Sequence, residues 1–508
     1  WRARMLALLA IMGPGLIVMV GDNDAGGVAT YLQGGQEYGT SLLWTLVLLI
    51  PVLIVNQEMV IRLGAVTGVG HARLINERFG RFWGWFSVGD LFVLNFLTIV
   101  TEFIGVSLAL EYFGISKYVA VPAGAVALIA ITTSGGFRSW ERAMYVFVAA
   151  NFLVIPILVL VHPQAGPIVE HTFVPGIAGG ASSTSVLLII AIVGTTVAPW
   201  QLFFQQSNIV DKRITPRWIN YERADTTIGA FVVVVAAGAM VCIAAFGLGG
   251  TAAHGHFVNA GATARALNRH VGSPAGALLA IFLLNASLIG AAAVTLATSY
   301  AFGDVFGVRH SLHRSFREAR FFYTSFAILV VAAAAVVLIP GAPLGLITEA
   351  VQALAGVLLP SATVFLLLLC NDREVLGPWV NPRWLNGVAS LIVTTLVGLS
   401  LVLVLSTAFP GIDVTVTVLA VSAVLLAGLV ATGIVAWLRG ASAAAAAPAA
   451  GPAPDSGRGD RRSWTMPPLA LLAPARFSPG RKAAMLLLRV YLVLAVALII
   501  VKAVQLGL

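Results

Sequence analysis

The stretch Met12-Gly-Pro-Gly-Leu-Ile-Val-Met-Val-Gly-Asp-Asn-Asp-Ala-Gly-Gly-Val-Ala-Thr30 decides how the chain folds. It begins as an apolar helix and then meets the polar run Asp22–Asp24, followed by Gly26 and Gly27. Ionisable side chains at membrane depth are costly and mark a functional site by default. Broken backbone is tolerated there only inside protein or beside water. The stretch therefore predicts an interrupted membrane helix whose break forms one half of an ion site.

Composition places the whole chain in a membrane. Of its 508 residues, 59% are hydrophobic and only 10% are charged, whereas a soluble domain carries about a quarter charged residues. Apolar runs of about 18 residues or more, each long enough to cross a bilayer, recur along almost the entire sequence. The sequence therefore predicts an all-α polytopic membrane protein.

Other compositional features exclude several functions. The net charge of +9 comes from basic residues in short loops between apolar runs, so it does not indicate a nucleic-acid partner. Cys242 and Cys370 lie in apolar runs, and two such cysteines make neither a disulfide framework nor a metal cage. Arg2 and Arg4 precede an apolar run as in a signal peptide, but the length of that run and its acidic break favour a retained first helix. No nucleophile–base pair or nucleotide-binding loop is visible, so we do not expect an enzyme.

Thirteen candidate spans follow from the apolar runs. They lie at residues 5–37, 41–63, 85–112, 117–135, 140–161, 184–210, 225–249, 272–303, 320–340, 345–370, 384–408, 412–437 and 483–507. Basic residues mark cytoplasmic ends, and up to the twelfth span only Lys117, Arg265 and Arg269 lie at the opposite ends. We therefore expect a multi-pass protein of the plasma membrane with a cytoplasmic N-terminus.

A second span is interrupted like the first. The sixth span reads Leu187-Leu-Ile-Ile-Ala-Ile-Val-Gly-Thr-Thr-Val-Ala-Pro-Trp-Gln201, in which Gly194 and Pro199 bracket Thr195 and Thr196. Breaks five spans apart point to an inverted repeat of five plus five helices, with a substrate bound between discontinuous helices near the midplane. Two kinked helices without a ligand are the alternative, because Gly and Pro are common in membrane spans. The acids in the first break favour a site.

Three stretches resemble one family. The segment Thr30-Tyr-Leu-Gln-Gly-Gly-Gln-Glu-Tyr-Gly-Thr-Ser-Leu-Leu-Trp44 is similar to the segment after the first-helix motif of the NRAMP family of divalent-metal transporters. Arg62-Leu-Gly-Ala-Val-Thr-Gly68 resembles the end of that family's second helix, and Asp372-Arg-Glu-Val-Leu-Gly377 with Asn381 resembles its loop after the tenth helix. The resemblance runs from about residue 12 to about residue 400 and implies the LeuT-type 5+5 inverted repeat with broken helices 1 and 6, plus additional C-terminal helices.

The resemblance, together with composition outside it, predicts four parts of the chain. Residues 1–408 form the predicted transporter core, which comprises the inverted repeat and an eleventh helix. Residues 409–439 are an additional transmembrane helix. Residues 440–482, rich in Ala and then in Gly, Pro, Asp and Arg, are predicted to be a flexible cytoplasmic linker. Residues 483–508 are predicted to be a C-terminal transmembrane helix.

The resemblance implies a set of metal ligands, and two departures from it alter that set. Where the family has Asp-Pro-Gly-Asn, this chain has Asp24 but replaces the asparagine ligand by Gly27. Where the family has Met-Pro-His, Ala198 replaces the methionine ligand. The predicted metal-site positions are Asp24, Gly21, Thr195, Gln352, Gly27 and Ala198. Possible additional ligand or gate positions are Asp22, Asn23, Thr196, Trp200, Gln201 and Glu102.

A site of carboxylate, carbonyl, amide and hydroxyl oxygens favours a hard cation. Thioether and imidazole ligands select transition metals, whereas carboxylate, carbonyl and water suit Mg²⁺, Ca²⁺ and Mn²⁺. Two shortened side chains also widen the cavity, which suits Mg²⁺ because it dehydrates reluctantly and keeps several waters. The pattern resembles the NRAMP-related magnesium transporter branch. We therefore expect transport of partly hydrated Mg²⁺, and also of Mn²⁺, by alternating access.

Proton coupling is not expected. Proton-coupled members of the family carry acids in the third helix and histidines in the sixth, whereas Ile99, Trp200 and Gln205 stand at three of these positions. None of these side chains binds and releases protons near neutral pH, as a histidine does. Glu102 matches the remaining family glutamate, and the alternative role for it is that of a structural acid paired with a backbone or hydroxyl group.

Several polar residues outside the breaks admit two interpretations. Glu349, in the outer part of the tenth helix, either draws cations into an outer vestibule or serves helix entry near the headgroups. Asp90 and Asn95, early in the third helix, are interpreted as solvated or paired. His254 and His256 have metal-binding spacing, but a loop pair without further ligands is usually polar surface.

Three other functions stay open. A proton-coupled Mn²⁺/Fe²⁺ importer with an atypical site is disfavoured by the missing Met and His. A sodium-coupled organic-solute carrier on the same fold is disfavoured by the family-like flanks, and a membrane scaffold or sensor by the acids in a broken helix. We expect no cofactor. The expected partners are the divalent ion and the lipid bilayer, without nucleic acid; the oligomeric state is open, with a monomer as the expectation.

Overall fold

A computed structural model describes residues 12–133, 136–409 and 411–445, with shorter stretches at 461, 464–472, 475, 485–486, 489–490 and 493. Within these residues the regular structure is helical, and no strand occurs. Ten of their helical segments are long and apolar enough to cross a membrane. This confirms the all-α, multi-pass prediction, whereas the predicted span at 483–507 lies almost wholly outside the described residues.

Helices occupy the first twelve predicted spans. In chain order they are α1 (Pro14–Gly21), α2 (Ala25–Tyr38), α3 (Leu43–Thr67), α4 (His71–Phe79), α5 (Arg81–Tyr112), α6 (Lys117–Thr133), α7 (Phe137–Ala150), α8 (Val154–Leu160), α9 (Ala165–Phe173), α10 (Ser183–Thr196), α11 (Pro199–Asp211), α12 (Ile219–Leu248), α13 (Ala260–His270), α14 (Ser273–Phe306), α15 (Arg320–Leu338), α16 (Leu344–Cys370), α17 (Arg373–Leu376), α18 (Arg383–Ala408) and α19 (Val414–Ala445). The first span is split into α1 and α2, and the sixth into α10 and α11. Both predicted breaks are therefore present.

Local sequence explains where the half-helices begin and end. Pro14 opens α1 at a first-turn position, where its missing N–H has no intrahelical partner to lose. Asp24 caps the start of α2 with its side chain. Pro199 opens α11 directly after Ala198, whose backbone is extended. Each break thus combines a helix end with a residue suited to start the next helix.

Small residues let the helices approach closely around the breaks. A Cβ atom added to Gly35 of α2 would lie 2.1 Å from the carbonyl oxygen of Val241 on α12. A Cβ atom added to Gly194 of α10 would lie 2.5 Å from the backbone nitrogen of Gly356 on α16. Small interface residues are the usual means of packing membrane helices, because lipid gives no hydrophobic drive between them. These crossings bring α12 and α16 against the two broken spans.

Charged contacts gather at one end of the bundle, which we call the inner end; the opposite end is the outer end. Arg62 donates to Glu58 at 2.9 Å and to the carbonyl oxygen of Trp379 at 2.7 Å. Arg78 pairs with Asp372 and with Glu374. The family-like stretches at the ends of α3 and α16 therefore meet in space at the inner end.

Part of the predicted linker contacts the inner end. The indole nitrogen of Trp379 donates to the carbonyl oxygen of Arg461 at 2.7 Å, and the Arg461 guanidinium lies 4.3 Å from the centre of the Trp379 ring. The ring of Trp464 packs against Gly377 so closely that a Cβ atom there would lie 2.3 Å from it. These residues form an attached strap, and the predicted boundaries of the four parts stay predictions.

Candidate metal site

The break between α1 and α2 places three polar residues in the protein interior. Asp22, Asn23 and Asp24 are 0%, 1% and 3% exposed. Helix α1 ends just before them, so the partly negative carbonyl end of its dipole points at the break. None of the ion pairs that the described residues form includes Asp22, Asp24 or the neighbouring Glu102. The break is therefore an acidic site in which these three acids form no ion pair with a described residue.

Asp24 and Glu102 lie together and hold the start of α2. One oxygen of Asp24 accepts a hydrogen bond from the backbone nitrogen of Gly27 at 2.7 Å, and Glu102 accepts one from Ala25 at 3.1 Å. A Cβ atom added to Gly290 of α14 would lie 2.8 Å from both Asp24 and Glu102. Glu102 thus has the backbone partner expected of a structural acid, while its second oxygen makes no hydrogen bond to a described residue.

Asp22 is a buried acid that lies at the end of α1. Neither of its carboxylate oxygens has a hydrogen-bond partner among the described residues, and the same holds for the side-chain oxygens of Asn23 and Thr195. A Cβ atom added to Gly27 would lie 3.0 Å from the Asp22 carbonyl and 3.3 Å from the Thr195 hydroxyl. Buried polar atoms normally have partners. These unpartnered oxygens are therefore suited to coordinate a cation.

The second break faces the first across Tyr31. The Tyr31 hydroxyl is 2.7 Å from the hydroxyl of Thr196, which ends α10. The side chain of Gln201 donates to the Thr196 carbonyl at 3.4 Å and accepts from Gln57 at the same distance. The carbonyl end of α10 therefore adds a second negative dipole beside Asp22. Tyr31 and Gln57 were not among the sequence-predicted site residues, because their role depends on how the helices cross.

Gln352 reaches the site from α16. It is 3% exposed, and its amide nitrogen lies 1.7 Å from the position that a Cβ atom on Gly26 would take. Only a glycine at position 26 leaves room for this approach. The contact places Gln352 of α16 beside the first break.

Ala198 and Trp200 flank Pro199 at the second break. Ala198 is 6% exposed and directly precedes α11. The Trp200 ring lies 3.4 Å from the position of a Cβ atom on Gly21 and packs against Phe204. Together with the preceding contacts, this brings all twelve sequence-predicted positions to the two breaks or to the residues that pack on them.

A cavity approaches the first break from the outer end. Ala25, the first residue of α2, lies in its wall, together with Gln33 and Thr101. Glu349, which is exposed, lies in the same wall. Glu349 therefore borders an outer vestibule, which is one of the two roles that its sequence position allows.

Asp225 of α12 anchors the inner end of α1 by hydrogen bonds. One oxygen of Asp225 accepts hydrogen bonds from the backbone nitrogens of Gly13, Gly15 and Leu16 at 3.0, 2.9 and 3.3 Å. Lys212 donates to the Met12 carbonyl at 2.7 Å. These contacts fix α1 against α12 and separate the break from the inner end. Nothing in the residue pattern alone pairs Asp225 with a helix more than two hundred residues away.

Comparison with known proteins places this geometry in a family. A family model described as natural resistance-associated macrophage protein-like (Nramp) matches residues 15–406. The divalent metal cation transporter MntH of Burkholderia ambifaria is 27% identical over 419 residues, which cover 79% of this chain and 90% of the relative.

Solved structures agree on the fold. The Eremococcus coleocola manganese transporter, crystallised with an aromatic bis-isothiourea substituted compound, superposes with a TM-score of 0.63 at 21% identity, covering 85% of this chain and 94% of that one. Mhp1, a nucleobase-cation-symport-1 family transporter, superposes with a TM-score of 0.51 at 17% identity, covering 84% of this chain and 93% of that one. The LeuT-type 5+5 repeat with broken first and sixth helices is thereby confirmed. Because the family model spans most of the chain and the two broken helices stand where the repeat requires them, this protein belongs to the Nramp family.

Proposed function

We propose that the protein transports Mg²⁺, and also Mn²⁺, across the plasma membrane by alternating access, with its N-terminus in the cytoplasm. The observation that carries this proposal is the Asp22 carboxylate, which is 0% exposed and has no hydrogen-bond partner among the described residues. A buried, unpaired carboxylate between two helix ends is stabilised by a cation. Relatives in the family are named as divalent metal cation transporters, which supports a divalent ion.

The chemistry of the break supports a hard ion. The unpartnered oxygens belong to Asp22, Asn23 and Thr195, and the positions that would supply a thioether or an imidazole hold Ala198 and Trp200. Carboxylate, amide and hydroxyl oxygens suit Mg²⁺ and Mn²⁺ better than softer transition metals. Asp22, Asp24, Gln352 and backbone carbonyls would complete a shell that retains water. This is the pattern expected of the NRAMP-related magnesium transporter branch.

The residues around the break also favour transport without protons. Gln205 donates to the hydroxyl of Thr226 at 2.8 Å, and Ile99 and Trp200 are buried. These side chains do not titrate near neutral pH. The driving force would then be the ion gradient and the membrane potential, which is worth about 2.3 kcal/mol per elementary charge for each 100 mV, or roughly twice that for a divalent ion.

Uptake into proteoliposomes with a pH reporter inside tests the proposal. Mg²⁺ and Mn²⁺ are expected to enter, to compete with each other, and to leave the internal pH unchanged. Asp22→Asn and Asp24→Asn are each expected to reduce uptake at least tenfold. The exposed Glu170→Gln variant is the matched control and should transport normally, because Glu170 lies on α9 away from both breaks.

A second candidate is a proton-coupled Mn²⁺ importer, which the buried Asp24–Glu102 pair favours because such a pair can share a proton. Mn²⁺ uptake that acidifies the vesicle interior and is not competed by excess Mg²⁺ would select this candidate and contradict the first. Selectivity has its own test. Ala198→Met restores a thioether beside the break, so it is expected to raise the preference for Mn²⁺ over Mg²⁺, measured as the ratio of competing ion concentrations at half-inhibition.

A further inference from the structure

Six exposed arginines stand at the inner end, where α7 begins and where α14 and α15 are joined by a loop. A Cβ atom added to Gly70, between α3 and α4, would lie 2.0 Å from the carboxylate of Asp304 in the last turn of α14, which places that loop at the inner end. None of the six takes part in an ion pair that the described residues form. We call this surface the arginine face, and its members are Arg138, Arg142, Arg309, Arg314, Arg317 and Arg320.

The start of α7 and the loop after α14 form one surface although they are far apart in sequence. The ring of Phe137 stacks on that of His313, with ring centres 5.0 Å apart and planes inclined by 7°. A Cβ atom added to Gly136 would lie 3.4 Å from the carbonyl oxygen of Leu312. The two arginines of α7 therefore stand beside the four that the loop and the start of α15 supply.

The acid within the loop does not neutralise the arginines around it. Glu318 is the one acidic residue between α14 and α15, and it accepts hydrogen bonds from the backbone nitrogen and the hydroxyl of Ser315 at 2.9 and 3.0 Å. These hydrogen bonds, and then the positive charges of Arg314 and Arg309, hold the pKa of Glu318 below its ordinary value. Both arginines therefore lie near the same carboxylate, yet neither forms an ion pair with it.

Other groups fix the shape of the loop and leave the arginine side chains exposed. Asp211, the last residue of α11, accepts hydrogen bonds from the backbone nitrogen of Leu312, at 2.9 Å, and from the Ser311 hydroxyl. The hydroxyl of Tyr323 donates to the carbonyl oxygen of Arg314 at 2.8 Å. A surface whose backbone is already held in place loses less conformational freedom when it binds a partner.

Apolar side chains beside the arginines indicate what kind of anion fits. Phe306 and Phe321 lie at the ends of the two helices that the loop joins, and Phe316 lies within it; all three are exposed. Both helices are long and apolar enough to span a membrane, so the loop stands at the level of the headgroups. A phospholipid offers a phosphate to the arginines and an acyl chain to the phenyl rings, whereas a free anion offers the rings nothing.

We propose that the arginine face binds the headgroups of anionic phospholipids in the leaflet at the inner end. A guanidinium group donates paired hydrogen bonds to phosphate oxygens, and each basic residue close to an anionic leaflet strengthens the attachment. In the proposed orientation this is the cytoplasmic leaflet. The inference does not depend on which ion the protein transports.

The melting temperature of the full chain in mixed micelles tests the proposal without requiring transport. Phosphatidylglycerol is expected to raise it by roughly 3 °C or more above the value in phosphatidylcholine with the same acyl chains, because a ligand that binds the folded state stabilises that state. Inorganic phosphate and polyglutamate are added in separate samples. Neither is expected to reproduce the rise, because neither carries an acyl chain.

Two triple variants distinguish the arginine face from the net charge of the inner end. Changing Arg309, Arg314 and Arg317 to glutamine should abolish the rise in phosphatidylglycerol. The control changes Arg217, Arg373 and Arg383 to glutamine; these arginines are exposed and lie outside the face, so the same loss of three charges should leave the rise in place.

The melting temperature in phosphatidylcholine shows whether each variant folds. If the first triple variant does not fold, the single variant Arg314→Gln should show a smaller rise than the unchanged chain, and Arg373→Gln should match the unchanged chain. Equal stabilisation of the unchanged chain by the two lipids would overturn the inference. So would a full rise in the folded triple variant, or an equal rise with inorganic phosphate or polyglutamate alone, which would assign the face to a free anion or to an acidic protein.

Discussion

At the scale of single residues, Gly26 determines where Gln352 can stand. The Gln352 amide nitrogen occupies the place that a Cβ atom on Gly26 would take, at a separation of 1.7 Å. Gly26→Ala is therefore expected to push Gln352 away from the break and to raise the Mn²⁺ dissociation constant by about tenfold, as measured by titrating the protein in detergent with Mn²⁺ and following the electron paramagnetic resonance signal of the free ion.

Gly34 provides the matched control on the same helix. A Cβ atom there would lie 3.8 Å from Ile192, which is ordinary van der Waals contact. Gly34→Ala should bind Mn²⁺ normally and should stabilise the protein by up to about 1 kcal/mol, because alanine is the better helix former. Equal affinity in the two variants would show that Gln352 does not contribute to the ion's shell.

Residue identity alone predicted the two helix breaks, but not the different contacts that Asp22 and Asp24 make in the first one. The acids in the first break and the missing ligands at Gly27 and Ala198 are visible in the sequence. That Asp24 caps α2 while Asp22 stays unpartnered depends on side-chain orientation in the folded break. Nothing in the sequence marks Asp22, two positions before the acid that the family has, as the one left without a hydrogen-bond partner.

At the scale of helices, the hydrogen bonds from α1 to Asp225 act as a latch on the inner side. Asp225→Ala removes the acceptor for three backbone nitrogens, and loss of such a cap costs about 0.5–2 kcal/mol. We expect the variant to open more readily towards the inner end, so that a cysteine introduced at Ala198 reacts faster with a thiol reagent added from that side. The native Cys242 and Cys370 are buried and give little background.

Thr227→Ala is the control for the latch. Among the described residues, the Thr227 hydroxyl bonds only to the Arg223 carbonyl of its own helix, α12. An unchanged rate of labelling in Asp225→Ala, or an equal increase in Thr227→Ala, would contradict the role of Asp225.

The loop between α14 and α15 carries a pH-sensitive contact. Burial alone would lower the pKa of His310, but its hydrogen bond to Asp304, the negative charge of that residue and the Val308 carbonyl raise the pKa above its ordinary value. A raised pKa in the folded state means that this stabilisation is full below about pH 6.5 and is lost as the pH rises through the folded-state pKa. His310→Gln should therefore lower the melting temperature more at pH 6 than at pH 9, and a deficit independent of pH would contradict this assignment.

The order of helices was predictable because each span needs a long apolar run and each break carries its own signal. The pairing of distant helices was not, since it depends on small side chains such as Gly35 and Gly194 meeting backbone on another helix. Glycines are common in the inverted repeat, and the sequence alone does not identify those at which two helices cross closely.

At the scale of the whole molecule, the strap ties the later part of the chain to the inner end. Trp464 packs on Gly377, and Arg461 stacks on Trp379. Trp464→Ala is expected to increase the rate of hydrogen exchange in residues 373–381, because it removes the cover from that loop. Trp384→Ala, which changes a tryptophan that is 67% exposed, should leave the rate unchanged. No difference between the two variants would show that the strap does not stabilise the inner end.

The outer vestibule also bears on how this transporter could be inhibited. Its walls include the apolar residues Phe257 and Leu283, and the acid Glu349 stands at its edge within the electrostatic reach of Glu37. An organic cation with an apolar body would match both the acids and the apolar walls of the vestibule. Such a blocker would act from outside the cell in the proposed orientation, so it would not have to cross the bilayer to reach its target.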